Sequence, residues 1–321
     1  MSSSRWGLVL KFALSLGILL WFALTVDWSR LVRLTSTIQW VYLLPLAALS
    51  LARVWISAVR FRCLIAGSIG IGIRALVGQY LVASYFNNLL PSALGGDLVR
   101  LFMLADSGLA KRESGVLILV ERFAGSAALL ALAGVGAMWF PVPLELRLVV
   151  LALAAVVLAL LLVLMAVPQR LAFIPQRWPG LARSYAALAS VTSRPGLLAV
   201  VFTLSLILQT VSISVSWLVA QALGIQLSFI ACLALVPLVW LVTLLPISIG
   251  GIGLREASFA YFLGTAGVST EESLLISLGT FASLVFNGSI GGLLLASRTV
   301  TAGTDSARAP ASGDADGRPA P

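Results

Sequence analysis

Long apolar runs separated by short polar segments make up most of this chain. About 20 apolar residues suffice for a helix to cross a bilayer. Six runs have this character: 7–26, 39–59, 116–140, 148–167, 197–220 and 274–296. Two further runs, 75–90 and 229–248, end near proline and paired glycines, and each precedes a short apolar stretch, 98–105 or 254–267. The pattern predicts an all-α polytopic membrane protein with about six full transmembrane helices and two broken, re-entrant segments.

The two breaks share the pattern Leu-Pro-x-x-aliphatic-Gly-Gly-x-x-x-Arg. The first copy begins at Leu90 and ends at Arg100, and the second begins at Leu245 and ends at Arg255. Proline lacks an N–H donor and glycine relaxes the backbone, so both interrupt a helix. Broken apolar segments at matching positions in two halves of a membrane chain indicate the substrate site of a transporter. The pattern therefore predicts a duplicated architecture and a ligand site.

The charges in the loops predict an orientation, provided that both broken segments return to the side from which they entered. The basic residues then expected on the cytoplasmic side are Arg5, Lys11, Arg60, Arg62, Arg74, Lys111, Arg112, Arg170, Arg177, Arg183, Arg194 and Arg298. Those expected outside are Arg30, Arg33 and Arg147, with the acids Asp27, Glu145, Glu271 and Glu272. This asymmetry follows the positive-inside rule. It predicts inverted repeats with cytoplasmic termini; the alternative is that both broken segments cross fully.

The domain organisation follows from the same runs. We predict one transmembrane domain over residues 1–300, with halves at about 1–165 and 197–300. A basic cytoplasmic loop, 168–196, joins them, either as a plain connector or with an amphipathic helix near 181–191 on anionic headgroups. The tail 301–321 is rich in Ala, Gly, Pro, Asp and Ser and is predicted to be disordered.

Composition excludes several kinds of chemistry. The 321 residues are 60% hydrophobic and 10% charged and include no histidine, so a histidine base, ligand or Ser-His-Asp triad is impossible. The two cysteines, Cys63 and Cys232, lie far apart in or beside apolar segments, which favours packed, reduced thiols over a disulfide or a metal cluster. The net charge of +9 is typical of basic cytoplasmic loops rather than nucleic-acid binding. No cofactor or metal is expected.

Several charged residues remain in or beside the apolar segments: Arg53, Arg100, Arg122, Arg255, Asp97, Glu121 and Glu256. An ionised side chain at mid-bilayer costs at least about 2.5–3.5 kcal/mol, so these residues need partners or a wet cavity. The spacing of Asp97 and Arg100 allows a direct pair on one helical face. Adjacent residues on a helix point about 100° apart, so Glu121 and Arg122 should reach different neighbours, as should Arg255 and Glu256.

Two interpretations of these charges remain open: they fix the packing of the two halves, or they line a cavity for an anionic headgroup. Free N–H groups at a helix start, together with guanidinium groups, suit phosphate. For the asparagines before the first break, a structural cap is the alternative to ligand binding. The candidate substrate-binding residues are Asn88, Gly95, Gly96, Asp97, Arg100, Glu121, Arg122, Gly250, Gly251, Arg255 and Glu256.

Taken together, these motifs resemble a known family. They run in order from Asn88-Leu89-Leu90-Pro91-Ser92 and Gly95-Gly96-Asp97 through Glu121-Arg122 and Gly125 to the second Pro-Gly-Gly element with Arg255-Glu256, preceded by Arg53…Arg60-x-Arg62. In them the chain resembles the flippase-like transmembrane domain of the lysylphosphatidylglycerol synthetase family. The resemblance implies a bacterial or archaeal membrane protein related to lipid translocation. In full-length members this domain is thought to flip an aminoacylated phospholipid that a soluble domain makes; we expect a stand-alone member without lysyl transfer.

The favoured function is a non-enzymatic lipid or glycolipid translocase in the plasma (inner) membrane of a prokaryote. It would move a phospholipid or polyprenyl-phosphate headgroup, with membrane lipids, anionic or glycan-linked, as its partners and an envelope enzyme as a possible further partner. The alternatives are a secondary transporter of a small anionic solute, a lipid-modifying enzyme that uses the carboxylates, and an assembly partner. The sequence shows no ATP-binding motif, so we expect a gradient or a partner to supply energy.

Overall fold

The regular structure of this chain is entirely helical over the residues that the computed structural model describes, which are 3–36, 38–90, 95–170, 181–245, 247–248 and 250–308. Its α-helices are α1 (Ser3–Thr25), α2 (Trp28–Ser36), α3 (Leu43–Ile65), α4 (Ile73–Leu89), α5 (Gly95–Asp106), α6 (Lys111–Trp139), α7 (Leu144–Arg170), α8 (Ala182–Thr192), α9 (Pro195–Ala222), α10 (Phe229–Thr243), α11 (Leu254–Gly264) and α12 (Thr270–Arg308). A 3₁₀ turn, Trp40–Tyr42, precedes α3. The predicted all-α class is confirmed for these ranges.

Four stretches of the described residues are long and apolar enough to cross a membrane: Trp40–Ile65, Lys111–Trp139, Pro195–Ala222 and Thr270–Ser297. The first predicted span is different, because α1 and α2 meet at an angle of 84° and form one broken candidate. The predicted span 148–167 lies within α7, and its crossing of the membrane stays a prediction. The chain is thus a multi-pass membrane protein with four or five candidate spans among the described residues, and the predicted number of about six full spans stays a prediction.

Contacts between loops define two ends of the molecule. At one end Ser68 donates a hydrogen bond to Glu113 (2.5 Å), and Gly67 lies beside the Arg194 guanidinium. We call it the basic end, because its exposed cations include Arg62, Arg74, Lys111, Arg112 and Arg194. At the other, acidic end, the backbone N–H of Asp27 and the side chain of Arg30 both approach Glu271. For the residues named here, this grouping agrees with the predicted separation of loop charges; which end faces the cytoplasm stays a prediction.

Helices α4 and α5 form an antiparallel hairpin around the first Pro-Gly-Gly element. Three contacts show the direction: Gly96 packs on Ala83, Arg100 bonds to Tyr80, and Gln79 donates to Ser107 (3.3 Å). The chain therefore enters at the start of α4 and returns along it to the same, basic end. Motif residues 91–94 lie outside the described residues.

The tip of this hairpin lies part-way along the long helix α12. Gly291 packs directly on the Leu81 carbonyl, so close that a Cβ at Gly291 would overlap it, and Asn88 donates to the Leu284 carbonyl (3.2 Å). From Leu284, α12 runs about 20 Å further to Glu271 at the acidic end, at a rise of about 1.5 Å per residue. Helix α4 thus stops well short of that end, which is the geometry of a re-entrant segment.

The second hairpin, α10 and α11, enters from the opposite end. Helix α10 starts beside the end of α9, where Trp217 and Gln221 both donate to the Leu227 carbonyl (3.1 and 3.2 Å). Helix α11 ends at Gly264, shortly before Glu271 of the acidic end. Opposite entry is what inverted repeats require; the repeat relation itself stays a prediction.

Two apolar clusters flank the middle of the bundle. One, at the basic end, contains Phe61, Leu76, Leu104 and Leu117. The other, towards the acidic end, contains residues of α6, α9, α10 and α11, including Leu235 and Phe259. Along both α6 and α9, a polar stretch separates the residues of the two clusters, and this stretch carries the site described below.

The segments outside the bundle core agree only in part with the sequence. Helix α8 lies where an amphipathic helix was predicted, whereas 171–180 of that loop lies outside the described residues. Helix α12 continues to Arg308, and the disorder of the tail 301–321 stays a prediction. Residues 309–321 of that predicted tail also lie outside the description.

Candidate functional site

A cavity of about 540 Å³ opens between α3, α4, α5, α6, α9 and α10. Its charged lining consists of Arg53, Arg60, Asp97, Arg100, Glu121 and Arg122. Neutral polar groups come from Ser57, Tyr80, Ser126, Gln209, Ser212, Trp240 and Thr243. Polar side chains gathered inside a bundle of otherwise apolar helices mark this cavity as the candidate site.

Helix periodicity explains how α3 and α9 supply one polar face each. On α3, Arg53, Ser57 and Arg60 follow the i, i+4, i+7 spacing that aligns side chains on one face. On α9, Gln209 and Ser212 follow the i, i+3 spacing, and Gln209 donates to the Gly125 carbonyl of α6 (3.3 Å). The two polar faces meet because α3 and α9 pack against each other.

Glu121 is the centre of a buried ion-pair network. Its Oε1 accepts from Arg60 Nη2 (2.8 Å), and its Oε2 lies 3.0 Å from Arg100 Nη2. Tyr80 also donates its hydroxyl proton to Glu121 and accepts from Arg100 (2.7 Å). Arg60 Nη1 reaches on to Ser205 (2.8 Å). One carboxylate therefore holds α3, α4, α5 and α6 together.

Asp97 extends the network towards the surface. It lies 3.6 Å from Arg100, as the i,i+3 spacing predicted, and it accepts from Arg122 Nε. Glu121 and Arg122 reach different neighbours, which confirms the prediction for that adjacent pair. The side chains of Asp97 and Arg122 are 19% and 31% exposed, whereas that of Glu121 is only 4% exposed. The network thus runs from a buried centre to an accessible edge.

Aromatic rings fix the position of Arg100. Its guanidinium carbon lies 3.8 Å from the centre of the Tyr80 ring and 4.7 Å from that of Phe61. Cation–π contacts of this kind gain strength when they are desolvated. Arg100 thus lies against two aromatic rings, while its guanidinium nitrogens contact Tyr80, Glu121 and Asp97.

The second pair of predicted site residues forms a separate cluster. Arg255 donates to Glu256 (2.5 Å) and to Ser277 (3.2 Å), and it stacks on Phe281 at 4.3 Å. The expectation that Arg255 and Glu256 would reach different neighbours is wrong. The physical reason is that both side chains bend around the start of α11, where Glu256 Oε2 also accepts the Gly253 N–H (2.7 Å). Neither residue lines the cavity.

The glycines of the second break serve the turn. Gly250, Gly251 and Gly253 have φ values of 59°, 81° and 80°, a region that residues with a side chain rarely adopt. Gly253 also packs against α1, beside Ser15 and Ile18. Of the described residues of this second element, the end of α10 and Leu244 line the cavity. Residues 246 and 249 lie outside the described residues.

The first break is also bonded by the chain itself. The Gly96 N–H donates to Asn87 Oδ1 (2.7 Å), and a Cβ at Gly96 would come within 2.5 Å of the Ala83 carbonyl. A Cβ at Gly95 would meet Leu90, and Asn88 bonds to α12. Of the first group of predicted residues, Asp97, Arg100, Glu121 and Arg122 line the cavity, whereas Asn88, Gly95 and Gly96 do not.

Sequence reasoning did not name most of the polar lining as site residues, and Arg60, Tyr80 and Trp240 are among those that it missed. Arg60 was expected on the cytoplasmic side, but α3 continues past it to Ile65, and only 6% of the residue is exposed. The i, i+7 spacing of Arg53 and Arg60 was the signal that could have placed both on one face. Tyr80 and Trp240 carry no comparable signal, because an aromatic residue in an apolar run is ordinary core.

The lining has an excess of positive charge. It carries four arginines against two carboxylates, which leaves a formal charge of +2. Within the described residues, no group of three Cys, Asp or Glu side chains could hold a metal ion. The arrangement is therefore suited to binding an anion.

Comparison with known proteins assigns the family. A search of curated proteins and a search of solved structures each find no match. A family model does match: it is described as the lysylphosphatidylglycerol synthase TM region, and it covers residues 8–292. This chain therefore belongs to the lysylphosphatidylglycerol synthase transmembrane-region family, whose name connects it with membrane lipids.

Proposed function

We propose that this protein binds a phospholipid or polyprenyl-phosphate headgroup in the cavity and moves it between the two leaflets. The observation that carries the proposal is the buried, net-positive network of Arg60, Arg100, Glu121, Asp97 and Arg122 at the middle of a membrane bundle. Charges within a membrane are costly and mark substrate pathways. Membership of a lipid-related family supports a lipid as the ligand.

The rim of the cavity also favours a lipid. Two lining residues, Leu119 of α6 and Leu244 after α10, are 56% and 43% exposed. Leu119 lies about 12 Å along α6 from Lys111, at a rise of about 1.5 Å per residue, and so within the depth of a bilayer. A polar interior with an exposed apolar rim admits a headgroup while its acyl chains stay among the surrounding lipids.

The network suggests how a headgroup enters. Arg122 and Asp97 stand at the accessible edge, and a phosphate that approaches Arg122 competes with Asp97 for its guanidinium. The buried Arg100–Glu121–Arg60 unit stays fixed behind them. We infer that the two hairpins, which enter from opposite ends, belong to inverted repeats, and that tilting of one half against the other exposes the cavity to each leaflet in turn.

A vesicle assay tests this proposal. The protein is reconstituted with a phospholipid that carries a fluorescent headgroup, and a membrane-impermeant quencher reports headgroup movement. We expect protein-dependent movement that falls about tenfold in Arg122→Gln, because one charge-assisted hydrogen bond is lost. Arg74→Gln, which removes an exposed charge at the basic end, is the matched control and should keep full activity. Equal rates in protein-free and protein-containing vesicles for every lipid class contradict the proposal.

A secondary transporter of a small anionic solute is the second candidate. The formal charge of +2 and the volume of about 540 Å³ would also suit such an anion. This function predicts that vesicles concentrate a soluble anion when a proton or sodium gradient is applied. Headgroup movement without solute uptake separates the two functions.

A further inference from the structure

Three residues that line the cavity have a buried polar atom without a hydrogen-bond partner among the described residues. These atoms are Arg53 Nη1, Arg60 Nε and Trp240 Nε1. All three are hydrogen-bond donors, and none of these groups can accept. A buried donor left unpaired destabilises a protein, so native structures nearly always supply a partner for it. The missing partner here is an acceptor.

The charge around these donors indicates what kind of acceptor fits. Among the described residues Arg53 forms no ion pair, in contrast to Arg60, which is paired with Glu121. Both lining carboxylates are already engaged by arginines: Glu121 by Arg60 and Arg100, and Asp97 by Arg122. The excess of +2 is therefore left uncompensated by the cavity itself. An acceptor that also carries negative charge would pair with the free donors and compensate the excess positive charge.

We propose that Arg53, Arg60 and Trp240 form an oxyanion subsite that takes a phosphate group, so that the cavity selects ligands of net negative charge over zwitterionic and cationic ones. Arginine matches phosphate geometry through its planar fork of donors, and an indole N–H adds one directed bond. A cationic, aminoacylated headgroup would add charge of the same sign to a lining that already carries an excess. The subsite rests on the proposed function only for its source of phosphate, a lipid headgroup.

A binding titration with a charge series tests the subsite. The purified full chain in detergent is titrated with short-chain phosphatidic acid, phosphatidylglycerol, phosphatidylethanolamine and lysyl-phosphatidylglycerol. We expect the tightest binding for phosphatidic acid and the weakest for the lysyl lipid. Arg53→Gln should weaken phosphatidic acid binding by about 10- to 100-fold, the loss of one charge-assisted bond, and should flatten the series. Trp240→Phe, which removes only the N–H, should weaken it by about two- to tenfold.

Two matched variants control for the loss of an arginine charge and for the replacement of an indole by a phenyl ring. Arg74→Gln removes an exposed charge at the start of α4, and Trp55→Phe changes an indole that is 51% exposed on α3, and neither residue lines the cavity. Both should bind the series as the wild type does. Because Trp240→Phe keeps the aromatic ring in place, it tests the subsite even if Arg53→Gln fails to fold.

Inorganic phosphate separates the two sources of the oxyanion. If it competes with phosphatidic acid and loses affinity in both Arg53→Gln and Trp240→Phe, the subsite is supported and free phosphate becomes a candidate ligand. Selective lipid binding in detergent without headgroup movement in vesicles leaves the subsite supported but contradicts translocation. Equal or tighter binding of the lysyl lipid, or a series unchanged in both variants, overturns the subsite.

Discussion

At the scale of single residues, Glu121 is the central group of the ion-pair network, because its one carboxylate balances two buried guanidinium groups, those of Arg60 and Arg100. Removing one partner of a buried ion pair leaves an uncompensated charge and typically costs about 3–5 kcal/mol. We therefore predict that Glu121→Gln strongly lowers the thermal unfolding temperature in detergent. Asp97→Asn, at the accessible edge, should cost only about 1–2 kcal/mol. Equal shifts in the two variants contradict a buried centre.

Arg255 lets the two copies of the motif be compared at the same scale. It pairs with Glu256, Ser277 and Phe281 and lies outside the cavity, whereas Arg100, at the matching position, lines it. We predict that Arg255→Ala lowers stability but that the folded fraction still co-purifies with lipid, whereas Arg100→Ala loses it. Native mass spectrometry of gently extracted protein gives the readout. Loss of the same lipid in both variants would falsify this asymmetry.

At the scale of elements, the close packing of α4 on α12 holds the first hairpin at its depth. Gly291 touches the Leu81 carbonyl directly, so Gly291→Ala should push the helices apart and destabilise the protein by about 1–3 kcal/mol, measured by thermal unfolding. The control is Gly134→Ala, where a Cβ meets nothing within 4 Å. Since alanine favours helix over glycine, that variant should be neutral or up to about 1 kcal/mol more stable. A loss of stability in Gly134→Ala as large as that in Gly291→Ala argues against the packing explanation.

The elements also show what the sequence could and could not supply. Apolar runs and Pro-Gly-Gly breaks located the long helices, because length and hydrophobicity are local properties, but they gave no sign of α2 or of its 84° angle to α1. They predicted re-entrant segments but left full crossing open, since hydropathy carries no information on neighbours; the contact of α4 with the middle of α12 favours a re-entrant segment. The sequence also could not predict the ion pairs. Whether Arg60 reaches Glu121 or water depends on where α3 ends and on which helices pack against it.

At the scale of the whole molecule, the two ends differ in charge, and the positive-inside rule turns that difference into an orientation. We predict that the basic end faces the cytoplasm. In a background without Cys63 and Cys232, Gly70→Cys at the basic end and Ser36→Cys on α2, towards the acidic end, are both exposed positions. A membrane-impermeant thiol reagent added outside intact cells should label Ser36→Cys only. Labelling of Gly70→Cys alone reverses the orientation.

The same cysteine labelling can also test whether the cavity opens to each side of the membrane in turn. Ser126 lines the cavity on α6, between the residues of that helix that belong to the two apolar clusters, Leu117 and Ala133. If the two hairpins open in turn, a cysteine at this position becomes accessible from both sides of the membrane over time. We therefore predict that Ser126→Cys reacts with impermeant reagent in both right-side-out and inside-out vesicles, and more slowly when an anionic phospholipid is in excess. Reaction from one side only would make the cavity a fixed binding pocket, and a headgroup held there could not cross.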